Sequence, residues 1–115
     1  MDNQHRKIKG YRELSQSEVD LMNRIKAKGT ELLALQDELR NMIETQHGMK
    51  WEDAKRSLQR PEGAGISIYQ GATDECREFQ RFEAAEPLRW VSIGKTDIQT
   101  AIMALVRAVA QPAEG

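Results

Sequence analysis

Cysteine is almost absent: Cys76 stands alone in 115 residues, so no intrachain disulfide can form. No apolar run is long enough to span a bilayer and no stretch has the layout of a secretory signal. A reducing cytoplasm is therefore the expected compartment. Histidine is nearly as scarce, with His5 and His47 far apart and Cys76 without a ligand-type neighbour. No metal and no resident cofactor are expected from that spacing. No carboxylate–histidine cluster or activated nucleophile is visible, which excludes the usual machinery of a hydrolase and argues for a protein that is not an enzyme. Aromatic residues make up only 5% of the chain and hydrophobic residues 39%, against 30% charged. A monomer of this makeup buries a thin core, and small helical chains complete such cores by oligomerising. The net charge of −1 lacks the basic excess of a general nucleic-acid or anionic-membrane binder, so neither DNA, RNA polymer nor membrane is an expected partner.

What is present is helix-forming sequence with clear punctuation. Ser15 is a natural N-cap, with Glu18 placed to return a hydrogen bond to its N–H. Leu14 and Val19 occupy the positions of a hydrophobic staple, which sets the angle at which Lys9-Gly10-Tyr11-Arg12 enters the helix. An aromatic and several cations are thereby held beside a helix, and this segment is the candidate binding apparatus. His5, Arg6, Lys7, Lys9 and Arg12 make the arm basic despite the near-neutral total.

The chain reads as a single domain: a basic arm over 1–14, a first long helix over 15–46, an insertion over 47–85 and a last helix over 86–111. Met22, Ile25, Leu32, Leu39 and Ile43 recur at helical steps, widened by Leu21, Leu35 and Met42. Gly29 falls on that stripe at a cost of about 1 kcal/mol relative to alanine, which close approach of another helix would offset. Gln36 on the same seam reads as a polar register-setter or the wall of a wet pocket. Gly48 is expected to stop the helix. Met49 to Arg60 then forms a short second helix or a loose extension of the first, ended by Pro61. Glu62 to Thr73 is a Gly- and Ser-rich surface loop with room for a short extended piece. Asp74 to Ala85 is a helix with Cys76, Phe79 and Phe82 on one face, and Pro87 suits the first turn of the last helix. Val91, Ile98, Ile102, Leu105 and Val109 form that helix's main stripe. Ile93, Ala101, Met103, Ala104 and Ala108 nearly encircle its second half, which points to a bundle of several chains. Trp51 and Trp90 read as packing residues.

Two segments resemble a known family. Lys9-Gly-Tyr-Arg-Glu-Leu-Ser with Asp20-Leu-Met-Asn-Arg-Ile-Lys-Ala-Lys-Gly-Thr-Glu-Leu is similar to the N-terminal half of the phage anti-CBASS cyclic-nucleotide sponges. Arg89-Trp-Val-Ser-Ile-Gly-Lys-Thr-Asp-Ile-Gln-Thr-Ala-Ile-Met-Ala-Leu looks like their second helix. The anti-Thoeris sponges for cyclic ADP-ribose isomers share the same helical hairpin. The segment from Gln46 to Phe82 has no counterpart in the pattern and looks like an insertion. The resemblance implies an all-α fold: a long antiparallel helical hairpin with an inserted short helix and loop region, assembling into an interlocked homo-oligomer, typically a hexamer. It implies a phage-encoded sponge in the host bacterial cytoplasm that binds cyclic dinucleotides such as cyclic GMP-AMP, and cyclic trinucleotides, without cleaving them. Tyr11 and Lys26 match the aromatic and lysine that contact a cyclic dinucleotide, with Lys9 and Arg12 beside them. A separate trinucleotide pocket is expected to draw on Arg89, Lys95 and Thr96.

The chemistry of the residues suits that role. A cyclic dinucleotide offers two bases and two phosphodiester charges, and a two-fold interface supplies each side chain twice. Stacking on an aromatic contributes about 1–3 kcal/mol and a hydrogen bond to a charged group about 1.5–3 kcal/mol. Read from the residues alone, Tyr11 covers the hairpin end and Lys26 snorkels beside Ile25; the resemblance reverses that order. Two other functions compete. A small DNA-binding regulator would explain the basic arm, but its recognition helix should carry clustered cations after a tight turn. A purely structural helical oligomer would explain the stripes and leave the stapled arm without a purpose.

Overall fold

The computed structural model describes residues 12–59 and 65–113. It contains three helices: α1 (Gln16–Ser57), α2 (Asp74–Ala85) and α3 (Pro87–Ala110). Among the described residues there is no strand, so the fold is all-helical. Helix α1 opens with the capping box written in the sequence. The Glu18 N–H donates to Ser15 Oγ at 3.2 Å, and the Ser15 N–H donates to Glu18 Oε1 at 2.9 Å. Two orphan donors of the first turn are thus satisfied reciprocally.

The far end of α1 corrects the expected stop at Gly48. The helix runs through that glycine to Ser57 and absorbs most of the segment read as a possible second helix. A glycine inside a helix costs about 1 kcal/mol, and tertiary contacts beyond it outweigh that penalty. Lys50 Nζ lies 2.9 Å from Glu78, and Ala54 is wholly buried against Cys76 and Phe79. The described part of the following loop is a turn rather than an extended piece: the Gln70 and Gly71 N–H groups both donate to Ser67 O at 2.9 Å. Thr73 caps α2, its hydroxyl accepting from the Cys76 N–H at 3.0 Å. Glu86 ends that helix in the left-handed region (φ 50°), and Pro87 starts α3 one residue later.

The chain divides into two compact units, Met1–Leu35 with Gly94–Gly115, and Gln36–Ile93. The second unit holds two small cores. One joins Ala54, Cys76 and Phe79, with Leu58 and Ile68 against them; the other joins Ile43, Phe82 and Val91, with Leu88. His47 bridges to Glu83 at 2.9 Å and tilts against the rings of Phe79 and Phe82. In the first unit α1 and α3 run antiparallel, because Arg12 meets Ala110 while Gly29 meets Ile102. Gly29 is buried, and a β-carbon there would collide with the Ile102 side chain. The expected close approach is therefore made by α3 of the same chain. Gly29→Ala should gain about 1 kcal/mol in helix propensity and lose about 1–3 kcal/mol to overpacking. A lower thermal midpoint is the expected result; a rise would mean that Ile102 swings aside at no cost.

Gln36 is buried, and its Nε2 has no hydrogen-bond partner among the described residues. The apolar stripes, by contrast, are largely uncovered. In the first unit Leu35 is 59% exposed, Met103 71% and Leu105 52%. None of the described helices is long and apolar enough to cross a membrane.

Candidate functional site

The start of α1 and the end of α3 form the most densely bonded polar region of the first unit. The Arg12 guanidinium donates through Nε to Ala110 O at 3.2 Å and through one terminal nitrogen to Val109 O at 2.7 Å. That nitrogen also reaches Glu18 Oε2 at 2.5 Å. The carbonyls of a helix's last turn lack intrahelical partners, and a cation there also complements the helix dipole. Gln111 then leaves the helix in the left-handed region (φ 47°), its N–H donating to Arg107 O at 2.8 Å, and Pro112 follows.

The Arg12 hydrogen bond, followed by the bond from the Ser15 N–H, lowers the Glu18 pKa from its ordinary 4.5 to about 2. A depressed carboxylate contributes stability above its ordinary pKa and loses it as the pH falls through the folded value. The melting-temperature gap between the parent chain and Glu18→Gln should therefore close as the pH drops from about 4.5 to about 2. Circular-dichroism melts at stepped pH measure it, and a gap that stays constant would show that this carboxylate is not tied to Arg12.

The structure separates the residues singled out from the sequence. Lys9 and Tyr11 lie outside the described residues. Lys26 is exposed on α1, about 16 Å along the axis from Ser15 at about 1.5 Å per residue. Its neighbour Lys28 pairs with Glu31 at 3.2 Å, whereas among the described residues no carboxylate pairs with Lys26. Arg12 is directed at protein groups. Arg89 belongs to the unit Gln36–Ile93, where it pairs with Glu86 at 3.5 Å and lies 5.3 Å from the ring centre of Trp90. Lys95 and Thr96 are exposed and belong to the other unit. Trp90 is 59% exposed, against the packing role expected of it, and Trp51 carries Lys55 over its ring at 4.0 Å.

Beside the capped end, α1 and α3 enclose an open groove of about 640 Å³ in the first unit. Leu21, Ile25, Leu32, Ile98 and Leu105 line it, with Arg24, Lys28 and Asp97 at its polar positions. Its lining suits apolar side chains better than a phosphate. Among the described residues no three His, Cys, Asp or Glu side chains gather closely enough to hold a metal ion. Sequence reading assigned Glu18 a capping role and missed its pairing with Arg12. The spacing offers one signal for it, an arginine just outside a capping box whose carboxylate has a second oxygen to spare.

A capped α-hairpin is the class of fold described here. The chain belongs to the family described as Acb2/Tad1, hairpin domain, which matches residues 4–110. It is similar to Anti-CBASS protein 2 of Pseudomonas phage JBD67, with 57% identity over 112 residues covering 97% of each chain.

Proposed function

We propose that this protein is an anti-CBASS sponge: a homo-oligomer, typically a hexamer, that sequesters cyclic oligonucleotide messengers in the host bacterial cytoplasm without cleaving them. Effectors that need those messengers are thereby starved of their activator. The observation that supports the reading is the built entrance to α1, where Ser15 and Glu18 cap the helix and Arg12 bonds Glu18 and the last carbonyls of α3. Family membership and the identity to an anti-CBASS protein support the messenger class.

Tyr11 is the proposed base platform and Lys26 the proposed phosphate partner, with Lys9 adding positive charge. Lys26 lies about three turns beyond the capped start of α1, so a compact ring that touches both residues draws most simply on two protomers. Uncovered Leu35, Met103 and Leu105, together with the partnerless amide of Gln36, support assembly. Arg89, Lys95 and Thr96 remain the proposed contacts of a separate trinucleotide pocket built from several chains.

Calorimetric titration against cyclic dinucleotides, cyclic trinucleotides and cyclic ADP-ribose isomers tests the reading. After heat denaturation the released ligand should elute intact. Binding confined to the ADP-ribose isomers would move the protein to the anti-Thoeris role, a chemically altered product would make it an enzyme, and no binding at all would sink the proposal.

A further inference from the structure

The groove between α1 and α3 carries two charges that the first unit leaves unanswered. Arg24 stands on its α1 wall and Asp97 on its α3 wall, both exposed. Among the described residues neither has a hydrogen-bond or ion-pair partner, whereas Lys28 beside them is paired with Glu31 at 3.2 Å. Between the walls the lining is apolar, and Leu21, Leu32 and Leu105 remain exposed on it. A groove of about 640 Å³ with that floor suits other apolar side chains. A nucleotide lying in it would set a phosphate near the Asp97 carboxylate.

The two charges are also placed symmetrically. Gly29 of α1 meets Ile102 of α3, and the two helices run antiparallel. Arg24 precedes Gly29 by five residues and Asp97 precedes Ile102 by five, so each charge lies about 7.5 Å along its own helix from that contact. Antiparallel running puts them on opposite sides of the contact as well as on opposite walls. Half a turn about an axis lying across the mouth of the groove at that contact, perpendicular to the line between the charges, therefore exchanges the two positions. A second copy brought on by this rotation sets the partner's Arg24 against Asp97 and the partner's Asp97 against Arg24, with the apolar floors face to face.

We infer that this groove is a two-fold contact between copies of the chain, held in register by reciprocal Arg24–Asp97 pairs. The inference rests on the homo-oligomer reading above and deepens it by naming a face on which two subunits meet. The apolar floor supplies the attraction. The charges supply the choice of orientation, because a slipped or turned partner would leave them unpaired or opposed by their like.

Sedimentation equilibrium on the full chain without ligand tests it, with Arg24→Glu, Asp97→Lys, the double variant and an equimolar mixture of the two single variants. Each single reversal sets two like-charge contacts across the two-fold interface, so the concentration for half-assembly should rise roughly 10- to 100-fold. Between unlike chains in the mixture, pairs of opposite charge form again at both ends. The mixture should therefore assemble at the parent's concentration, and so should the double variant. Mixing cannot repair a chain that has failed to fold, so this rescue separates a contact between chains from damage within one. Single variants that assemble like the parent, or a mixture no better than its components, overturn the Arg24–Asp97 contact and leave the homo-oligomer reading standing. A parent chain that stays monomeric at every concentration overturns both and leaves the groove to an apolar segment of another protein.

Discussion

Tyr11→Ala is expected to lower affinity for a cyclic dinucleotide by about 5- to 150-fold for each base that the ring stacks. Where a two-fold pocket supplies the tyrosine twice, the two losses multiply. Lys26→Ala removes a charge-assisted hydrogen bond worth about 1.5–3 kcal/mol, or roughly 10- to 150-fold per phosphate. Salt separates the two variants. The lysine's contribution should shrink as ionic strength rises and its field is screened, while the stacking contribution should hardly change. Lys26 suits such a contact because it is exposed on a rigid helix and no carboxylate among the described residues competes for it. Sedimentation velocity on both variants should show the parent's oligomeric state. A variant that dissociates would assign its residue to assembly, and two variants that bind like the parent would remove both from the site.

Phe79→Ala should be the most damaging substitution in the unit Gln36–Ile93. The ring is fully buried, sits edge-on to Tyr69 at 5.4 Å and tilts against His47 at 5.6 Å. Truncating a buried phenylalanine costs about 3–5 kcal/mol, from lost transfer energy and from the cavity left behind. A small domain has only about 5–15 kcal/mol in total. The cores here are two clusters of three buried residues each, so little neighbouring side-chain volume can relax into the gap. The midpoint of thermal unfolding should fall by on the order of 15–30 °C. Phe79→Leu, which keeps most of the volume, should recover much of that loss. A shift of only a few degrees in the alanine variant would mean that this cluster is not what holds α2 to α1.

Glu78 of this unit follows the same logic as Glu18. Glu78 is held to a pKa of about 2, first by Arg81 and then by Lys50 on α1. The contact from Lys50 ties α2 to the part of α1 beyond Gly48. That tie helps explain why local reading of the glycine failed. A C-cap glycine ends a helix when nothing rewards its continuation, and here Ala54 and Lys50 supply the reward from a helix more than twenty residues further along.

Much of the architecture was legible because it is local. The Ser15–Glu18 box, the Thr73–Asp74 start of α2, Pro87 at the head of α3 and the apolar face of Cys76, Phe79 and Phe82 all depend on neighbours within a few residues. The proposed ligand contacts were legible only through family resemblance, since a single tyrosine and a single lysine have no spacing that distinguishes a platform from packing.

The sequence by itself determined an all-helical fold, the start of each helix, a lone cysteine and a surplus of apolar surface, because each of these follows from composition or short-range periodicity. Only the tertiary structure decided that α1 continues past Gly48, that Gly29 makes room for Ile102, and that Arg12 turns to the carbonyls of residues 109 and 110. Those outcomes depend on groups about 20 to 100 positions apart, whose meeting no local pattern records until the helices pack.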